Sequence, residues 1–148
     1  MFYGEFCHSV DEKGRLFIPA RFRSVKKGKE ISKFFFTQGL ERCLFAYTEE
    51  EWNLLQQKIS TQSMARRDVR AFSRMLFSRA VDAVCDKQGR VNIPRVLLEY
   101  ADLKKEVVIV GVLTRFEIWS KESWKKYVDE SSKSFEDIAE NLVDLNPL

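Results

Sequence analysis

Two short stretches of this 148-residue sequence carry side chains whose types and spacing could do chemistry. They are Asp11-Glu12-Lys13-Gly14-Arg15-Leu16-Phe17-Ile18-Pro19 and Asp86-Lys87-Gln88-Gly89-Arg90-Val91-Asn92-Ile93-Pro94. In each, an aspartate precedes an arginine by four residues, with a glycine between them. A carboxylate at the head of such a turn can cap it and pair with the arginine, and the glycine can take a positive φ. An arginine held beside a strand presents a planar fork that matches a phosphate or the O6/N7 edge of guanine. Lys13, Arg21 and Arg23 belong to a basic stretch from Lys13 to Lys33 with eight Lys or Arg and one acid, Glu30. Charge of that kind attracts phosphates irrespective of base sequence. The chemistry on offer is recognition of an anion.

Catalysis finds no comparable support. There is one histidine, His8, and three widely spaced cysteines, Cys7, Cys43 and Cys85, with no C-x-x-C pair. That set makes neither a disulfide framework nor a zinc ribbon. His8 shares an alternating face with Phe6 and Val10, so it reads as a core or rim residue, and the cysteines read as core thiols suited to a reducing cytosol. No catalytic residue, metal, cofactor or small-molecule substrate is expected. Met1-Phe2-Tyr3-Gly4-Glu5 lacks a basic leader, and the longest apolar run, Val107 to Leu113, is about a third of the ~20 residues that span a bilayer. The expectation is a cytoplasmic protein without a membrane partner.

The elements that must position the two motifs come in two sets, because the chain repeats itself. The motifs are offset by 75 residues; Gly39, Tyr47 and Trp52 then match Gly111, Trp119 and Trp124 at an offset of 72. One gap of three residues, ahead of the glycine, reconciles them. Residues 2–10 alternate as a half-buried strand, 11–14 turn, and 16–18 form a short second strand. Pro19 suits the first position of a helix with Phe22 and Val25 inward. Phe34–Phe36 and Leu44–Tyr47 are two further strands, and Thr48 caps a helix with the stripe Trp52, Leu55 and Ile59. The second copy repeats this through Val81–Cys85, Val91–Ile93, a Pro94-led helix, Val107–Val112, Phe116–Trp119 and a helix opened by Ser120. Between the copies, residues 63–77 predict a helix with Ala65, Val69, Phe72 and Leu76 inward and Arg66, Arg67, Arg70 and Arg74 outward. The boundaries follow: 1–60 for the first copy (core 5–47), 61–76 for the linking helix, 77–128 for the second copy (core 77–120), and 129–148 for an acidic tail. Two copies of one unit bury more surface together than apart. The expected fold is α+β and β-rich, a pseudo-twofold barrel with helices on its rim.

The two D-x-x-G-R-x-x-I-P motifs, in this order and spacing, resemble the MraZ family, whose two fused copies are related to the AbrB-like swapped-hairpin domain. The likeness covers nearly the whole chain. It implies a sequence-specific transcriptional regulator of the bacterial division and cell-wall gene cluster, binding short direct repeats in its own promoter as a ring-shaped homo-oligomer. It implies a shared polar surface carried here by Asp11, Lys13 and Arg15 and by Asp86 and Arg90. Gly14 and Gly89 shape the turns, and Arg21 and Arg23 add basic charge. The second copy departs from the first: Gln88, Val96 and Leu98 stand where the first has Lys13, Arg21 and Arg23. The family commonly has Arg at the place of Leu98, so Arg15 is expected to weigh more than Arg90.

Charge counts agree with that lopsidedness. The net +3 is a cancellation of +5 over residues 1–74 against −2 over 75–148. The acidic second half and tail leave open an alternative, a non-enzymatic scaffold or antitoxin-like protein that binds another protein through the Asp–Arg surface.

Overall fold

The structure is a computed structural model and describes residues 1–24 and 28–142. The inward role expected of Val25 and the last residues of the acidic tail lie outside the described residues. The first copy comprises β1 (Phe2–Ser9), β2 (Arg15–Phe17), β3 (Lys33–Gln38), β4 (Leu44–Tyr47) and α1 (Glu49–Ser60). After α2 (Arg67–Ser78) come β5 (Val81–Val84), β6 (Arg90–Asn92), α3 (Arg95–Tyr100), β7 (Glu106–Leu113), β8 (Arg115–Ser120), α4 (Lys121–Ser132) and α5 (Phe135–Glu140).

The strands form a six-stranded antiparallel sheet in the order β1-β7-β8-β4-β3-β5 and a separate two-stranded ribbon, β2-β6. The first strand of each copy pairs with the third strand of the other, β1 on β7 and β5 on β3. One isolated bridge, Val10 to Leu16, leads from the end of β1 into the ribbon. This is a mixed α+β fold with rim helices, consistent with a swapped-hairpin arrangement.

Strand register gives the internal symmetry its exact form. Leu16 faces Val91 and Phe45 faces Glu117, so two residues meet their own counterparts across the ladder, and the pseudo-twofold axis passes through both pairs. The offset between copies is 75 for β1/β5 and β2/β6 and 72 for β4/β8. For β3/β7 it is 73, because Phe35 pairs with Tyr47 as Val108 pairs with Trp119. The expectation of a single three-residue gap is therefore corrected. Two residues are lost before β7, and one more in the β7–β8 turn, so the counterpart of Gly111 is Gln38 rather than Gly39. The longer turn of the first copy holds the 3₁₀ turn Leu40–Arg42, where Glu41 and Arg42 both adopt φ near 60°.

Alternation explains which faces are buried. Leu16, Ile18, Phe34, Phe36, Val91, Ile93, Ile109, Phe116 and Ile118 enclose the main core. A second cluster lies on the opposite face of the sheet, where Trp52 stacks on Phe35 at 5.5 Å and meets Phe77 of α2 edge-on. Thr48 and Ser120 cap α1 and α4 by accepting hydrogen bonds from the Glu51 and Ser123 backbone N–H groups. Even their supporting ion pairs are related by the pseudo-twofold with signs reversed: Lys33 reaches Glu49 in one copy, and Lys121 reaches Glu106 in the other.

Three expectations fail here. The Pro19-led helix is a single turn over residues 20–23, whereas the Pro94-led helix forms as α3. In the second copy Leu97, Leu98 and Glu99 are strong helix formers, while in the first Arg23 is drawn away to the Ile18 carbonyl and Ser24 follows. In α2 the inward residues are Ser73 and Leu76, with Phe77 half-buried, and Phe72 is 48% exposed. The helix is rolled by the bond from the Thr37 hydroxyl to the Leu76 carbonyl and by the seat of Phe77 on Trp52. Cys7 is exposed on the outer face of β1, Cys43 is buried, and Cys85 is intermediate.

Gly111 faces Gly4 across β1–β7, and a Cβ built there would lie 2.3 Å from the Tyr3 backbone nitrogen. A Gly111→Ala substitution is expected to prise apart the strand pair that joins the copies and to cost about 1–3 kcal/mol. Urea unfolding monitored by tryptophan fluorescence checks this; an unchanged midpoint would contradict the close approach.

Candidate nucleic-acid interface

The two motif turns are built alike from the backbone up. Asp11 Oδ1 accepts from the backbone N–H groups of Lys13 and Arg15, each at 2.9 Å, and Oδ2 accepts from Arg15 Nε at 2.6 Å. Asp86 makes the same three bonds, to Gln88 N, Arg90 N and Arg90 Nε, all at 2.9 Å. Gly14 and Gly89 sit at the same φ of +79°, where a side chain would strain the turn. Each carboxylate thus fixes both the turn and the arginine it leads into. The Arg15 backbone N–H is the chief reason that the Asp11 carboxyl lies below its ordinary range, and the Arg90 N–H does the same for Asp86.

The turns are also clamped to each other. Ile18 N–H donates to the Gly89 carbonyl and Ile93 N–H to the Gly14 carbonyl. Between them runs the β2-β6 ribbon, with Leu16 and Val91 turned into the core. Period-two alternation then puts Arg15, Phe17, Arg90 and Asn92 together on its outer face, Arg15 opposite Asn92 and Phe17 opposite Arg90. The two arginines are diagonal neighbours, a separation on the order of 7–8 Å. Only Nε of each is engaged by its aspartate; the terminal nitrogens make no hydrogen bond to the described residues.

The swap redistributes the surrounding charge. Arg23 belongs to the first copy, yet its guanidinium lies against Gly89 of the second turn. There it donates to the Ile18 carbonyl at 2.9 Å, pairs with Glu30 at 2.5 Å and faces the Phe17 ring. Its counterpart Leu98 lies against Gly14 in the same way. Arg21 is further off: its guanidinium covers the Tyr3 ring at 3.9 Å, near Met1 and Leu113. The structure therefore brings Asp11, Lys13, Gly14, Arg15, Asp86, Gly89, Arg90 and Arg23 to the ribbon and leaves Arg21 at the far end of β1. Sequence reasoning passed over three exposed lysines. Lys87 occupies the position of Glu12 in the second turn, as aligning the two motifs shows. Lys105 lies beside the residue before the first turn, where Val10 N–H donates to its carbonyl, and Lys104 precedes it and reaches Asp102.

His8 is half-buried with its ring 5.2 Å from that of Phe17, and burial lowers its pKa. Cys43 and Tyr47 are pushed up by burial, Tyr47 to about 12. Arg66 pairs with Asp68, and Arg70 turns back on the Met64 and Ala65 carbonyls. Among the described residues no group of three His, Cys, Asp or Glu could hold a metal ion, and no helix is long and apolar enough to cross a membrane.

Because their folded pKa values are lowered, Asp11 and Asp86 contribute stability that is present at neutral pH and lost as pH falls through those values. Carboxyl NMR should show both titrating below 3.8, and Asp11→Asn should flatten part of the acid-side loss of stability. Titration of both at 3.8 would contradict the bonded turns.

A family model described as "MraZ protein, putative antitoxin-like" matches the chain twice, over residues 1–75 and 76–146. The two matches divide the chain where the internal repeat does, and each contains one Asp–Arg turn. Family membership carries a regulatory role exercised by binding DNA or a partner, and the family is non-enzymatic. With nearly its whole length matched and its strands exchanged between the two copies, the chain belongs to the MraZ family.

Proposed function

We propose that this protein is a sequence-specific DNA-binding transcriptional regulator. The observation that carries the reading is the pair of aspartate-braced arginines on one outward ribbon face, each with its terminal nitrogens open. Arg15 and Arg90 read base edges; Lys13, Lys87, Lys104 and Lys105 hold the phosphates, and Arg23, paired with Glu30, props the second turn from beneath. Asp11 and Asp86 orient the arginines without touching DNA. Since Arg23 supports the second turn and Lys87 replaces Glu12 there, both arginines share the recognition.

The ribbon serves as the last side of a barrel whose other strands are the six-stranded sheet. Copies of the chain close into a ring, so that several ribbons meet short direct repeats in the protein's own promoter, at the head of a bacterial division and cell-wall gene cluster. Simultaneous engagement of two boxes raises avidity by ~10²–10⁴ when box and subunit spacings agree. The protein works in the cytoplasm, associated with the nucleoid.

Replacing Arg15 or Arg90 by Ala should lower affinity for the gene's own upstream DNA by about 1–3 kcal/mol, roughly fivefold to 150-fold, with a much smaller effect on scrambled DNA. Binding isotherms at two salt concentrations measure both terms, and the affinity should fall steeply with salt. An unchanged ratio of specific to scrambled affinity in both variants would overturn the assignment. Absence of DNA binding at low salt would favour the antitoxin-like, protein-binding alternative.

A further inference from the structure

The two ends of the β2-β6 ribbon differ on their outer face. The 75-residue offset makes Arg15 and Arg90 counterparts, and it makes Phe17 and Asn92 counterparts. Each arginine therefore stands opposite a different neighbour, Arg15 beside Asn92 and Arg90 beside Phe17. Asn92 is exposed, and its side-chain amide makes no hydrogen bond to the described residues. It lies against the first turn, with its Oδ1 3.4 Å from a Cβ built on Gly14. Phe17 is half-buried, and its ring meets the His8 ring at 5.2 Å and the Arg23 guanidinium at 5.3 Å.

A side-chain amide presents an N–H donor and a carbonyl acceptor side by side. It carries no charge with which to hold a phosphate, but its donor–acceptor pair matches the N7 acceptor and N6 donor of adenine in the major groove. That groove, about 12 Å wide, admits a two-stranded ribbon. Residues directly opposite on a ladder have Cβ atoms about 4.5–5.5 Å apart, and successive bases of a strand rise about 3.4 Å. Arg15 and Asn92 therefore reach the same base pair or adjoining ones. One purine edge takes one bidentate partner, which leaves the two side chains on adjoining pairs. Phe17 offers no such pair of hydrogen bonds beside Arg90; apolar contact with a thymine methyl is all it can supply.

We infer that Asn92 is a specificity-determining residue. In double-stranded DNA it reads the adenine of an A·T pair adjoining the guanine read by Arg15, and no adenine is read in this way beside Arg90. The pseudo-twofold exchanges Arg15 with Arg90, so the arginines alone would read a symmetric site; Asn92 in place of Phe17 gives the site a direction. This inference rests on the proposed DNA reading and names a base pair which that reading leaves open.

Footprinting of the upstream DNA fixes the bound box, and affinities are then measured for duplexes in which each base pair of the box is replaced singly. The wild-type protein should lose affinity roughly fivefold to 150-fold when the A·T pair adjoining the Arg15-dependent G·C pair is replaced. Exchanging that adenine for 7-deazaadenine, which keeps the Watson–Crick pair and removes the N7 acceptor, should reproduce part of the loss. Asn92→Ala should be insensitive to both changes, within about twofold, while keeping the full penalty at the G·C pair. Arg15→Ala should show the reverse. Because the Asn92 side chain is exposed and bonded to nothing described, the circular dichroism and Tm of Asn92→Ala should be those of wild type.

The inference is overturned if Asn92→Ala keeps the wild-type penalty at every position, or if the penalty it abolishes falls at a G·C pair or at a pair not adjoining that of Arg15. Equal weakening on box and scrambled DNA would mark a phosphate contact and overturn it too. A lost G·C penalty in Arg15→Ala beside an unchanged profile in Asn92→Ala defeats this inference alone. Absence of base discrimination by the wild-type protein defeats the DNA reading and this inference with it.

Discussion

The pair of cross-copy hydrogen bonds from Ile18 to Gly89 and from Ile93 to Gly14 is the constraint on which the rest depends. Each motif turn has its shape from its own aspartate but its position from the other copy. Without that exchange the ribbon has no second strand, Leu16 and Val91 lose their place on the axis, and Arg15 and Arg90 are no longer neighbours. The same exchange recurs in the large sheet, where β1 lies on β7 and β5 on β3. Either half alone would present unpaired strand edges, which is why the repeat folds as one body.

Much of the architecture was legible because it is written in alternation and punctuation. The strand pattern of residues 2–10, the caps Thr48 and Ser120, and the turns at Gly14 and Gly89 depend on local chemistry, and the structure agrees with each. What escaped the sequence depends on partners far along the chain. The roll of α2 is set by Thr37 and Trp52, not by its own apolar stripe, so Phe72 lies outside. The single-residue slip between β3 and β7 is invisible when two glycines invite alignment. It emerges only from pairing Gln38 with Leu44 and Gly111 with Phe116.

The candidate site divides in the same way. The Asp–Arg spacing was readable because a four-residue return within one turn is local. The placement of Arg23 was not, since its guanidinium packs against Gly89, which is in the other copy. Counting charges along the first half therefore does not say which surface they share. Half the basic residues credited to the first turn are elsewhere: Arg23 lies under the second turn and Arg21 over Tyr3. Lys87 adds positive charge to the second turn from within, while Arg23, paired with Glu30, packs beneath it. A swapped fold makes charge counts by segment a poor guide to charge by surface.

The central claim is that Arg15 and Arg90 together are the reading heads, each held at Nε by its aspartate while its terminal nitrogens make no hydrogen bond to the described residues. Nitrogen-edited NMR of the arginine Nε–H groups during titration with the upstream DNA tests this directly. The account predicts that the Arg15 and Arg90 signals shift together at a common stoichiometry and stay protected, while Arg21 is unaffected. Unmoved Arg15 and Arg90 signals at saturating DNA would contradict it.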